Sequence, residues 1–217
     1  MKRKLIALAG VLLFAACPLT ACQKPHKSEN AGLNMTENEM PYGSTLVINT
    51  ELSVPMQYDR RFIDDDLAKT IASYYHAIQE QDEAEFKGVL FPLYHTYEME
   101  SFYEGKYTDA DILKNTHDGM QQVHGADFDF ALIDVLDLVN RQGVSNDLDA
   151  LAVMLNQLAA DQNDTGFEKD MQAIYELQVD RYLCDKGAGI KKETDSVIAD
   201  ERLYAVKYKD QWYLIYT

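Results

Sequence analysis

The sequence predicts an α+β domain in which helices come first and long antiparallel strands follow. Three observations predict it. Apolar residues recur at helical spacing from Leu67 to Val123. They then alternate with period two from Phe128, and again from Ala173 to the end of the chain. Between those two stretches helical spacing returns once, from Leu148 to Ala159.

The domain opens near Phe62. Asp64-Asp65-Asp66 offers a cap and an acidic first turn, and Leu67, Ile71, Tyr74, Tyr75 and Ile78 form the apolar face of a first helix. Asp82 followed by Glu85 is a capping-box signal for a second helix, with Phe86, Val89 and Leu90 as its stripe and Pro92 just past its end. Leu93 to Tyr103 is aromatic-rich and reads as helical. Thr108 caps another helix, marked by Ile112, Thr116, Met120 and Val123 and closed by Gly125.

In the first long strand Phe128, Phe130, Leu132, Leu136 and Leu138 take one side, interrupted by Asp134, and Ile133, Val135 and Val139 take the other. Ser145 or Asn146 caps the helix that carries Leu148 to Ala159. Ala173 to Cys184 is a strand, Asp185 to Gly189 turns the chain, and Leu203–Tyr208 and Trp212–Tyr216 pair across the short hairpin Lys209-Asp210-Gln211. A curved sheet with helices packed on one face buries both patterns.

The N-terminus carries an address. Met1-Lys2-Arg3-Lys4 is basic, and Leu5 to Ala16 is an apolar run too short to span a bilayer, which takes about 20 residues. Leu19-Thr20-Ala21-Cys22 resembles the lipobox of bacterial lipoproteins. That resemblance implies cleavage between Ala21 and Cys22, lipidation of Cys22, and an extracytoplasmic domain anchored to the cell membrane. Cys17 is disfavoured because Phe14 fits poorly three residues before a cut. Residues 1–21 are then a signal, 22–58 a polar tether and 59–217 the domain. Thr45 to Asn49 is a strand-like stretch within the tether that can dock on the domain edge.

The formal net charge of −16 disfavours nucleic acid and anionic head groups as partners. Cys184 has no histidine near it in sequence and reads as a buried, inert thiol. His117 and His124 are seven residues apart, but zinc takes three or four convergent ligands, so neither a metal nor another cofactor is expected.

Three features resemble the NTF2-like, or cystatin-like, α+β cone. They are the opening helix pair (Ile71 to Ile78, then Asp82 and Phe86 to Leu90), the long strands after the helices, and the ending Val206-Lys207-Tyr208-Lys209-Asp210-Gln211-Trp212-Tyr213-Leu214. The similarity spans roughly Phe62 to Thr217, and uncharacterised Gram-positive lipoproteins carry such domains. The helix at Leu148 to Ala159 is extra relative to the minimal cone. The resemblance implies a cone whose open end can be a pocket. Some family members are isomerases, dehydratases or cyclases that use a pocket acid with tyrosine donors.

Tyr75, Tyr97, Asp134 and Tyr175 are the candidate pocket residues. The leading expectation is a non-catalytic binding or accessory domain for a small molecule, peptide, glycan or envelope protein. A small lyase or isomerase using Asp134 with tyrosines is the alternative, and an assembly subunit that dimerises through the sheet face is another.

Overall fold

The computed structural model describes residues 40–140, 143–188 and 196–216. The signal, the lipobox and the first part of the tether lie outside them.

Two short strands, β1 (Leu46–Asn49) and β2 (Met56–Asp59), precede the helices. Helix α1 (Asp65–Glu80) is capped by Asp64, whose side chain accepts from the Leu67 amide, and it ends at Gln81 in the left-handed conformation. Helix α2 (Glu83–Val89) is capped by Asp82. Pro92 lies just past the end of α2, as the sequence suggests, and also opens α3 (Pro92–Tyr97) at the first helical position, where its missing N–H is harmless. A π-helical turn (Glu98–Phe102) continues α3. Helix α4 (Asp109–His124) starts with a reciprocal Thr108–Asp111 capping box and stops at Gly125, φ 89°.

Strand β3 (Phe128–Val139) leads to α5 (Asn146–Asp161) and the short α6 (Phe167–Asp170). Strands β4 (Met171–Asp185), β5 (Ser196–Tyr208) and β6 (Gln211–Tyr216) complete the chain. Lys209 and Asp210, both at positive φ, form the two-residue turn between β5 and β6.

The strands make one curved, unclosed sheet in sequence order, β1 to β6. All neighbours are antiparallel except β2 and β3. The fold is therefore α+β. The folded unit reaches back past Asp59, where the sequence reading began the domain: β1 and β2 belong to the sheet, and Val54, Met56 and Tyr58 are buried in its core. The strand-like stretch Thr45 to Asn49 does dock at the sheet edge, as β1, whereas the four residues of β2 are too few to show a period and read as tether.

The sheet has a core on each face. On the inner face α1, α2 and α4 pack over Phe128, Phe130, Ile133, Val135, Leu177, Val179, Leu203, Ala205, Trp212 and Leu214. On the outer face α5 and α6 place Leu148, Leu151, Leu155 and Phe167 against Tyr204, Val206 and Ile215. Helices thus cover both faces at the β5–β6 end, not one face as the sequence suggested.

The alternation in β3 also differs from the sequence reading. Register shifts after Phe130 and after Val135 each insert a residue and reverse the phase. Phe128, Phe130, Ile133 and Val135 therefore face the helices together, and Leu132 and Asp134 face outward.

Candidate binding cleft

The four residues expected to line a pocket do not converge. Tyr75 is fully buried on α1, its ring edge-on to Phe130 at 5.3 Å, and its hydroxyl donates to Glu201. Arg181 Nε lies 3.1 Å from the same carboxylate. Burial pushes the Glu201 carboxyl up, and Arg181 and Tyr75 hold it partly back. Tyr75, Phe128 and Phe130 fill the space between α1 and β3.

Tyr175 shares the inner face but lies six residues along β4 from Arg181, about 20 Å at strand rise. It packs on Trp212 with ring centroids 5.0 Å apart. Asp134 is on the outer face, accepting from Gln57 Nε2 at 2.9 Å and standing opposite Asp180 in the register. Burial raises its carboxyl, but no face brings it to Tyr75. Tyr97 is exposed on α3, its ring 6.1 Å from Tyr94.

The arrangement best suited to a ligand lies instead where α3 unwinds. The π-helical turn closes with the Tyr103 amide donating to the Glu98 carbonyl at 2.9 Å. π-Helical turns recur at functional sites. Glu104 follows at φ 52°, a left-handed conformation uncommon for a residue with a side chain, and Gly105 at φ 66° completes the bend. This bend throws Phe102 into solvent, 73 % exposed. Phe102, Tyr103 and Tyr107 stand in successive edge-to-face contact, with centroids 5.1 Å and 5.4 Å apart. Ile112, Asn115 and Thr116 from α4 and Tyr216 from β6 close the other side of a cleft of about 620 Å³.

Glu98 lies behind Tyr103 and Tyr216, only 8 % exposed. Its Oε2 and the Tyr216 hydroxyl are buried, and neither makes a hydrogen bond of good geometry. They are nonetheless close enough to influence each other. Burial pushes the Glu98 carboxyl up, partly offset by the Tyr216 hydroxyl. Burial and the Glu98 charge together push the Tyr216 phenol far above its ordinary range. Buried polar atoms without partners are costly, roughly 1–3 kcal/mol each, and such atoms tend to mark function.

The signal in the sequence was the density of rings: Tyr94, Tyr97, Phe102, Tyr103 and Tyr107 fall within one short stretch. A second, smaller groove of about 270 Å³ lies between α3 and α6, lined by Phe91, Phe167, Tyr208 and Tyr213. His95 Nε2 and Asp109 Oδ1, 2.8 Å apart and largely buried, tie α3 to the first turn of α4. Among the described residues no three histidine, cysteine or acidic side chains gather as a metal site, and no helix is long and apolar enough to cross a membrane. In comparison with known proteins, no family model, no curated protein and no solved structure matches the chain.

Proposed function

We propose that the chain is a lipid-anchored, extracytoplasmic binding or accessory domain of the NTF2-like type, held at the membrane through Cys22, and that the cleft at the π-helical turn is its ligand site. The lipobox residues Leu19 to Cys22 support the anchor. The curved sheet with α1 across its inner face supports the cone. The observation that carries the binding reading is one convergence: an exposed ring, a strained non-glycine bend, an open cleft and two buried polar atoms without a well-formed hydrogen bond all meet between Glu98 and Tyr107 and at Tyr216.

Titrating the full chain in dodecyl maltoside with phenol, a small neutral aromatic probe, tests it by amide shifts. Saturable shifts at Phe102 to Ile112 and Tyr216 support the site, and their absence there removes it. A second reading, self-association through the outer sheet face, is favoured by exposed Leu46, Ile48, Leu136 and Val197 on the half that α5 leaves open. Light scattering across a concentration series tests that.

A further inference from the structure

The chemistry of the cleft narrows its ligand, and this step rests on the binding reading above. Its open wall is three rings, Phe102, Tyr103 and Tyr107, at interplanar angles of 81° and 63°. Rings set edge to face make the sides of a box instead of a flat shelf, and each ring face carries the negative end of its quadrupole. A flat sugar platform would want coplanar or offset rings, which this wall does not offer.

Behind the wall sits Glu98, whose Oε2 is buried without a hydrogen bond of good geometry. The Tyr216 hydroxyl is close enough to influence it, and among the described residues no lysine or arginine forms an ion pair with it. Burial without a counter-charge favours the neutral form of this carboxyl, and a cation bound nearby is what would draw it to its charged form. The one basic side chain lining the cleft, Lys106, is engaged by Glu104 and stays mostly in water. The sequence around the cleft also carries Glu98, Glu100, Glu104 and Asp111 against Lys106, so the local field favours positive charge.

We propose that the cleft takes a small organic cation, a quaternary or alkyl-ammonium group seated between the Phe102, Tyr103 and Tyr107 rings, with Glu98 in the layer beneath the lining as the nearby negative charge. The aromatic faces supply shape and cation–π attraction, and the carboxylate supplies the neutralising charge. Asn115 and Thr116 on the opposite wall offer hydrogen bonds to whatever polar group the ammonium carries.

Choline and its uncharged isostere 3,3-dimethylbutan-1-ol separate this inference from the binding reading. Both are titrated against the full chain in dodecyl maltoside and followed by amide shifts. Choline should give saturable shifts at Phe102, Tyr103, Tyr107 and Tyr216, with affinity about tenfold or more above the isostere. Glu98→Gln, which keeps the shape and removes the charge, should erase that preference while leaving the isostere unchanged. Tyr107→Leu, at a half-exposed position, should weaken choline and melt like the parent. Equal affinity for the two probes would overturn the cation assignment and leave the binding site standing. Choline shifts elsewhere, or none, would also overturn it, and the phenol titration then decides separately whether the cleft binds at all.

Discussion

Asp64 receives both the Leu67 amide of α1, at 2.8 Å, and the Trp212 indole Nε1 of β6, at 3.1 Å, so one carboxylate caps the first helix and fastens the last strand to it. Trp212 is 5 % exposed and packs against Tyr175, with the Lys207 ammonium 5.3 Å from its ring. Trp212→Ala should therefore destabilise the domain by about 3–5 kcal/mol, a large part of a typical 5–15 kcal/mol. Trp212 emission should be short in wavelength and resist acrylamide. A freely quenched indole, or an alanine variant that melts like the parent, would remove Trp212 from the core.

Asp59 is the fixed point of the N-terminal segment. It is fully buried and accepts from Arg61 Nη2 at 2.6 Å, Thr45 Oγ1 at 2.6 Å and the Gly43 amide at 3.0 Å. Arg61 in turn donates to the Met40 and Pro41 carbonyls. Burial pushes the Asp59 carboxyl up, but the Arg61 and Thr45 hydrogen bonds outweigh it and hold it well below the usual range. A depressed folded value gives stability that is present above the unfolded carboxylate pKa, about 4, and is lost as pH falls toward the folded one. Asp59→Ala should cost about 3–5 kcal/mol at neutral pH by removing the buried carboxylate that Arg61, Thr45 and Gly43 share, and much less near pH 2. Removing residues 40–58 should lower the melting temperature sharply; a truncated domain that melts like the parent would contradict the role of β1 and β2.

Glu98 behaves in the opposite sense. Its carboxyl is raised by burial, partly offset by the Tyr216 hydroxyl. Whatever the neutral form contributes to stability is present below the unfolded value, about 4.3, and is lost as pH rises through the folded one. Glu98→Gln should melt like the parent near pH 4 and above it near pH 8, by roughly 2–4 °C for each kcal/mol recovered. A variant less stable than the parent at pH 8 would show that the carboxylate is held by a partner.

Cys22→Ala should abolish acyl labelling and leave the signal uncut, and Cys17→Ala should do neither. Labelling that survives Cys22→Ala would move or remove the lipid anchor.

The helices and strands were legible because their caps and periods are local. Asp64, Asp82, Thr108 and Ser145 all cap where the sequence places them. What the sequence hid is set by tertiary register. The shift after Phe130 turns Asp134 outward and Ile133 inward, and no residue near it announces a bulge. The outer-face position of α5 depends on which strand faces are already covered, which helical periodicity does not encode. The cleft was half legible. Its rings are conspicuous between Tyr94 and Tyr107, but Glu98 reads as an ordinary surface glutamate until Tyr216, from the far end of the chain, closes over it.

The most direct test of the cleft as the binding site is the phenol affinity of Phe102→Ala beside the parent, each as full chain in dodecyl maltoside. Phe102 is 73 % exposed, so its removal should leave the melting temperature within a degree or two of the parent. At equal stability, saturable phenol shifts at Tyr103, Tyr107 and Tyr216 should weaken about three- to tenfold in the variant. Unchanged affinity, or shifts centred on the Phe91–Tyr213 groove or the outer sheet face, would contradict the assignment of this cleft.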